Sequence, residues 1–91
     1  MFSDNAINVL RNLSSEMDEV ANYAAYISDD IGMEKSDFLA HCRMFRDLGY
    51  ARILMLADPD DGTPKGSAYV RTEMGDVFLT LSLGPGWRWA W

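Results

Sequence analysis

Apolar residues in the first third of the chain recur at helical intervals. Ile7, Leu10, Leu13 and Met17 are spaced three, three and four apart, and Val20, Ala24, Ile27 and Ile31 four, three and four apart. This spacing lines one face of a 3.6-residue helix. Ser3 or Asp4 can cap the first helix, because a short oxygen-bearing side chain accepts from the free amides of an opening turn. Ser15 followed three residues later by Asp18 has the form of a capping box. It predicts a break or bend near Ser14 and Ser15 and leaves open whether residues 5–31 make two helices or one bent helix. Gly32 follows the last periodic residue, as a left-handed helix stop would.

Ser36 is placed to cap the next helix, whose inner side carries Phe38, Cys42, Phe45 and Leu48 at spacings of four, three and three before Gly49 ends it. Residues 50–56 are apolar and partly β-branched, hence a strand. Residues 58–66 are a dense turn signal and residues 67–70 a returning strand, so a β-hairpin is expected across 51–71. Residues 72–83 carry two periods. Thr72-Glu73-Met74-Gly75 can open a helix, whereas Val77, Leu79, Leu81 and Leu83 alternate as a strand does; the helix is preferred. Gly84-Pro85-Gly86 breaks that element, and in an extended tail Trp87, Trp89 and Trp91 would share one side.

Composition narrows the class. At 91 residues, 48% hydrophobic and 12% aromatic, the chain predicts one folded domain over residues 1–91, α+β but mainly α, with a Trp-rich tail at 84–91. No basic region followed by an apolar run opens the sequence, and no stretch approaches the ~20 apolar residues of a membrane span. A soluble, cytoplasmic protein without membrane contact is expected. Cys42 and His41 are the sole residues of their types, so neither an intrachain disulfide nor a Cys/His metal cluster can form. Adjacent helical residues point about 100° apart, which also argues against His41 activating Cys42; a core thiol is the better reading. Asp58-Pro59-Asp60-Asp61-Gly62 resembles a calcium loop, but such a loop wants glycine sixth and glutamate twelfth. Here Gly62 is fifth and Tyr69 twelfth, which leaves a turn. No phosphate-cradling glycine loop, serine elbow or metal set is visible, and no pair of acids sits in an apolar context that would split their pKa values. No catalysis and no cofactor are expected.

The net charge of −6 is unevenly spread. Residues 1–31 set Arg11 against six acids, and residues 57–91 set three bases against five. Residues 32–56 set Lys35, Arg43, Arg46 and Arg52 against Glu34, Asp37 and Asp47. The segment after Gly32 is therefore the one stretch with an excess of bases.

The order helix, helix, glycine turn, helix, hairpin resembles the winged helix-turn-helix superfamily. The run from Asp30-Ile31-Gly32-Met33 to Leu48-Gly49-Tyr50 is similar to that superfamily's acidic, aliphatic, glycine, aliphatic opening and its Leu-Gly-aromatic close. Tyr69-Val70-Arg71-Thr72-Glu73-Met74-Gly75 is similar to the Tyr-x-x-Thr-x-x-Gly that follows a wing. The resemblance implies three helices, a β-hairpin wing and a possible C-terminal helix. It also implies that the helix after the turn enters the major groove while the wing touches the backbone or minor groove. Lys35, Ser36, Asp37, Ala40, His41, Arg43 and Met44 then fall at outward or edge positions and Lys65 on the wing, with Lys35, Ser36, His41, Arg43 and Lys65 the candidate DNA contacts. Ala40 and Met44 offer no base-edge hydrogen bonds, and Glu34 and Asp37 repel phosphate.

Two functions follow as expectations. The first is a small DNA-binding transcriptional regulator acting as a homodimer. The second is an acidic protein-interaction module or inhibitor, of a kind that would suit a phage or mobile element, that meets a basic, nucleic-acid-handling partner. Its contacts would be Asp29 and Asp30 within an acidic surface of residues 16–30 and 58–61, together with Trp87, Trp89 and Trp91.

Overall fold

The computed structural model describes residues 2–17, 24–57 and 60–89, and within them all side chains except those of Ala25, Lys65 and Trp89. The described elements are α1 (Asp4–Asn12), β1 (Ser14–Ser15), α2 (Ala24–Asp30), α3 (Lys35–Asp47), β2 (Ala51–Ala57), β3 (Pro64–Arg71), α4 (Glu73–Leu83) and a closing 3-10 turn at Trp87–Trp89. The strands form one sheet in the order β1-β3-β2, with β1 parallel and β2 antiparallel to β3. The protein is thus α+β, four helices and three strands among the described residues.

The helix ends are chemically explicit. Ser3 Oγ accepts from the Ala6 amide at 3.1 Å and starts α1. Both α2 and α3 close in the same way. Gly32 and Gly49 take φ values of 68° and 83°, and each lets the chain bond back onto the last helical carbonyls. Met33 N–H donates to Ser28 O and Tyr50 N–H to Phe45 O, each at 2.9 Å, the six-to-one bond of a Schellman close. Thr72 starts α4: its Oγ1 accepts from the Gly75 amide at 3.2 Å and donates to Gly49 O at 2.7 Å, so the cap of one helix is tied to the stop of another. Gly75 is needed where it stands, because a Cβ there would lie 2.3 Å from Tyr50 O.

The core gathers Ala6, Val9, Leu10 and Leu13 with Ile27, Phe38, Cys42, Phe45, Ala51, Leu79 and Trp87. Helix α3 runs through its middle, and the hairpin extends from its edge in an unbroken register from Ala51↔Arg71 to Leu56↔Gly66, with an irregularity before Ala57.

Several expectations are corrected. The expected break at Ser14 and Ser15 is present, and there the two residues pair with Val70 and Arg71 as a strand absent from that expectation. Ser15 Oγ accepts from the Met17 amide at 3.2 Å, so it tightens a turn; Asp18 and Val20 lie outside the described residues. Met17 is 85% exposed and does not extend the α1 stripe, because the helix ends at Asn12. The cap of helix α3 lies two residues before the expected one. Glu34 occupies the N-cap without a side-chain bond, and Ser36 sits in the first turn. Leu48 is 46% exposed, since it follows the last helical residue and the glycine close turns it off the buried face. Strand β3 begins at Pro64 rather than at residue 67. The preferred helix over 72–83 is present as α4, while the tail is a 3-10 turn at Trp87–Trp89, not extended.

Candidate nucleic-acid interface

Helix α3 buries Phe38, Cys42 and Phe45, which fixes the face it turns outward. Lys35, Ser36, Asp37, Ala40 and Arg43 are exposed, while His41 is half-buried. Met44 is half-buried and packs against the core, so it is not available as a contact. Lys35 borders an open groove of about 490 Å³ between α2, α3 and β3, lined also by Ala24, Tyr26, Leu39, Ser67 and Tyr69. The side chain of Lys65 lies outside the described residues. Cys42 is fully buried, and burial pushes its thiol up to about 12, as expected of a core residue rather than a nucleophile.

Most other bases are already engaged. Arg52 Nε donates to Glu16 at 2.8 Å, and the other oxygen of Glu16 accepts from the Glu73 amide at 3.1 Å. Glu16 thus places a negative charge at the start of α4, where the helix dipole favours one. The hydrogen bond from Arg52, and then that from Glu73, hold the Glu16 carboxyl below its usual range. Arg46 pairs with its neighbour Asp47 at 3.2 Å.

Arg71 is deeply buried. Its Nε donates to Asp76, and one terminal nitrogen donates to the carbonyls of Leu10, Arg11 and Leu13 at 3.2, 3.2 and 2.6 Å. Arg88 meets the second Asp76 oxygen at 3.0 Å. Both guanidinium groups lie over the Trp87 ring, 4.8 and 5.1 Å from its centroid, and Arg11 donates to the Trp87 carbonyl at 3.3 Å. This Arg71–Asp76 centre escaped the sequence reading. A base ending an apolar strand is its only sequence signal.

Acids dominate elsewhere. Asp29 and Asp30 are exposed in the last turn of α2, with no base in that turn, where the helix dipole disfavours negative charge. At the hairpin tip Asp60 and Asp61 are exposed. Asp61 accepts from the Thr63 hydroxyl at 2.6 Å and its amide at 2.9 Å, which lowers its pKa and makes the tip a side-chain-braced turn. Among the described residues no cluster of three His, Cys, Asp or Glu side chains is placed to hold a metal.

Trp87 does not join an exposed indole face. It is buried in the core cluster, with Nε1–H donating to Thr80 Oγ1 at 3.0 Å, so its surface is spent within the fold. The Trp89 side chain and Trp91 lie outside the described residues. No helix among the described residues is long and apolar enough to cross a membrane. No protein-family model, curated protein or solved structure matches the chain.

Proposed function

We propose that this chain is a small winged-helix DNA-binding regulator, in which α3 enters the major groove and the β2–β3 hairpin lies along the backbone as the wing. The observation that carries the reading is which cations remain available. Among the described residues Arg46, Arg52, Arg71 and Arg88 are in ion pairs and Arg11 donates to a carbonyl. Lys35 and Arg43 are exposed, make no ion pair with a described residue, and both stand on α3. Ser36 and His41 on the same helix add hydrogen-bonding groups for base edges. Two available cations among the described residues are few, so useful affinity requires paired copies. No cofactor and no chemical step are involved.

The test is duplex binding at graded salt. Lys35→Ala and Arg43→Ala should each weaken binding and lower the slope of log affinity against log salt by ~1. Absence of binding to pooled random duplexes at ~50 mM salt, where counterion release favours association most, overturns the reading.

A second reading has its own support: an acidic module that binds a basic, nucleic-acid-handling protein. Asp29 and Asp30 stand where they cost the helix stability, and Asp60 and Asp61 put acid at the wing tip. A protein under selection for fold alone gains nothing from the two acids at that helix end. On this reading, reversing the charge of Asp29 and Asp30 slows association with a basic partner and leaves duplex binding no weaker.

A further inference from the structure

Helix α4 is apolar on two opposite sides. At about 100° per residue, Leu79 and Gly75 point into the core, while Val77, Leu81 and Met74 fall within about 60° of one another on the far side. Leu79 is fully buried, whereas Met74, Val77 and Leu81 are 59, 53 and 82% exposed. A second apolar side turned away from the core is surface that the helix gains by covering. The surface continues beyond the helix. Met74 lies over Gly49, 3.7 Å from where a Cβ would be, beside the exposed Leu48. Between Tyr50 and α4 runs a groove of about 380 Å³, lined by Tyr50, Glu73, Met74, Val77, Phe78 and Leu81. Tyr50 and Phe78 stack 4.7 Å apart and make its floor stiff.

We infer that this face is covered by a second copy of the same chain, packed α4 against α4 about a twofold axis. An isologous contact requires one surface to supply both the recess and the projection. The groove is the recess, and Leu81, the most exposed apolar side chain on α4, is the projection at its rim. Charge points the same way. Each copy carries −6, so contact through the acidic surfaces brings like charges together, whereas of the six residues lining this groove Glu73 alone is charged. The area is sufficient. Two such faces, with the flanking parts of Leu48, Tyr50 and Phe78, remove on the order of 1,000 Å² from water, close to the lower bound for a specific interface. An interface of that size is that of a weak, reversible dimer. The inference does not depend on what α3 contacts, and it is measured without DNA, so failure of the dimer and failure of DNA binding are separate results.

Sedimentation equilibrium from ~1 to ~500 μM, a range suited to weak reversible association, should show a monomer–dimer equilibrium. Leu81→Asp should weaken it at least ~10-fold, because a charge is then forced against the partner's apolar floor. Val77, midway along the face, lies nearest the axis. Val77→Cys should form a disulfide-linked dimer under mild oxidation, while buried Cys42 does not compete. A protein that is monomeric throughout overturns the inference and leaves the face to a different partner. So does a dimer that is equally tight in Leu81→Asp. Should Leu81→Asp not fold, as judged by circular dichroism, the crosslink decides: wild-type dimer without a Val77→Cys crosslink places the contact elsewhere.

Discussion

An arginine with 6% of its surface exposed has lost the hydration of its guanidinium, and burial of that kind is tolerated only where protein groups replace the water. Around Arg71 three carbonyls, one carboxylate and an indole face do so. The carbonyls lie at and just after the end of α1, where a helix leaves such groups short of internal partners; Leu10 O also accepts from the Leu13 amide. Arg71 therefore acts as a C-terminal cap supplied from across the sequence. Arg71→Met keeps most of the stem volume but strands the carbonyls of Arg11 and Leu13 and half of Asp76. It should lower stability by ~3–5 kcal/mol in urea denaturation, the usual cost of breaking a buried charge pair. A loss under ~1 kcal/mol would mean that the pair is held too loosely to matter.

Among the elements, α4 depends on Thr72 in two ways, as its own N-cap and as donor to the carbonyl of Gly49. Thr72→Ala should cost ~1–2 kcal/mol, and Thr72→Ser should restore most of it, both read from thermal unfolding. Elements of this kind are legible in sequence because their signals are local. Ser3, Gly32, Gly49 and the Phe38–Cys42–Phe45 stripe declare themselves within a turn or two of chain. What was not legible depends on distant partners. Two residues hold no period, so β1 is visible only through its pairing with Val70 and Arg71. The tryptophan tail alternates like a strand, yet Trp87 is turned inward by Thr80, Arg71 and Arg11. Leu48 fits the helical spacing but lies beyond the last helical residue, where the period no longer applies. At the candidate interface, the helix carrying Lys35 and Arg43 was readable. That those two cations stay available was not, because it rests on pairs such as Arg52 with Glu16, 36 residues apart.

For the molecule as a whole, Cys42 reports on the integrity of the core. It is an acid whose folded pKa is raised, from 9.0 to about 12, so the unfolded chain loses its proton first. The stability it contributes is present in full below pH 9.0 and is lost as pH rises toward 12. Thiol-reagent labelling at neutral pH should proceed only through opening of the core, at a rate that falls as stability rises. The alkaline loss should be smaller in Cys42→Ala. Rapid labelling of the native protein would show the core to be open at α3.

The long-range cap on α1 also gives the protein a timetable. The carbonyls that Arg71 binds lie 58 to 61 residues before it, and a ribosome adding ~5–20 residues per second takes on the order of 3–12 s to bridge that interval. During that time α1, nine residues long, is too short to persist as a helix by itself. Helix α1, made before the other described helices, is therefore among the last of them to be fixed in place.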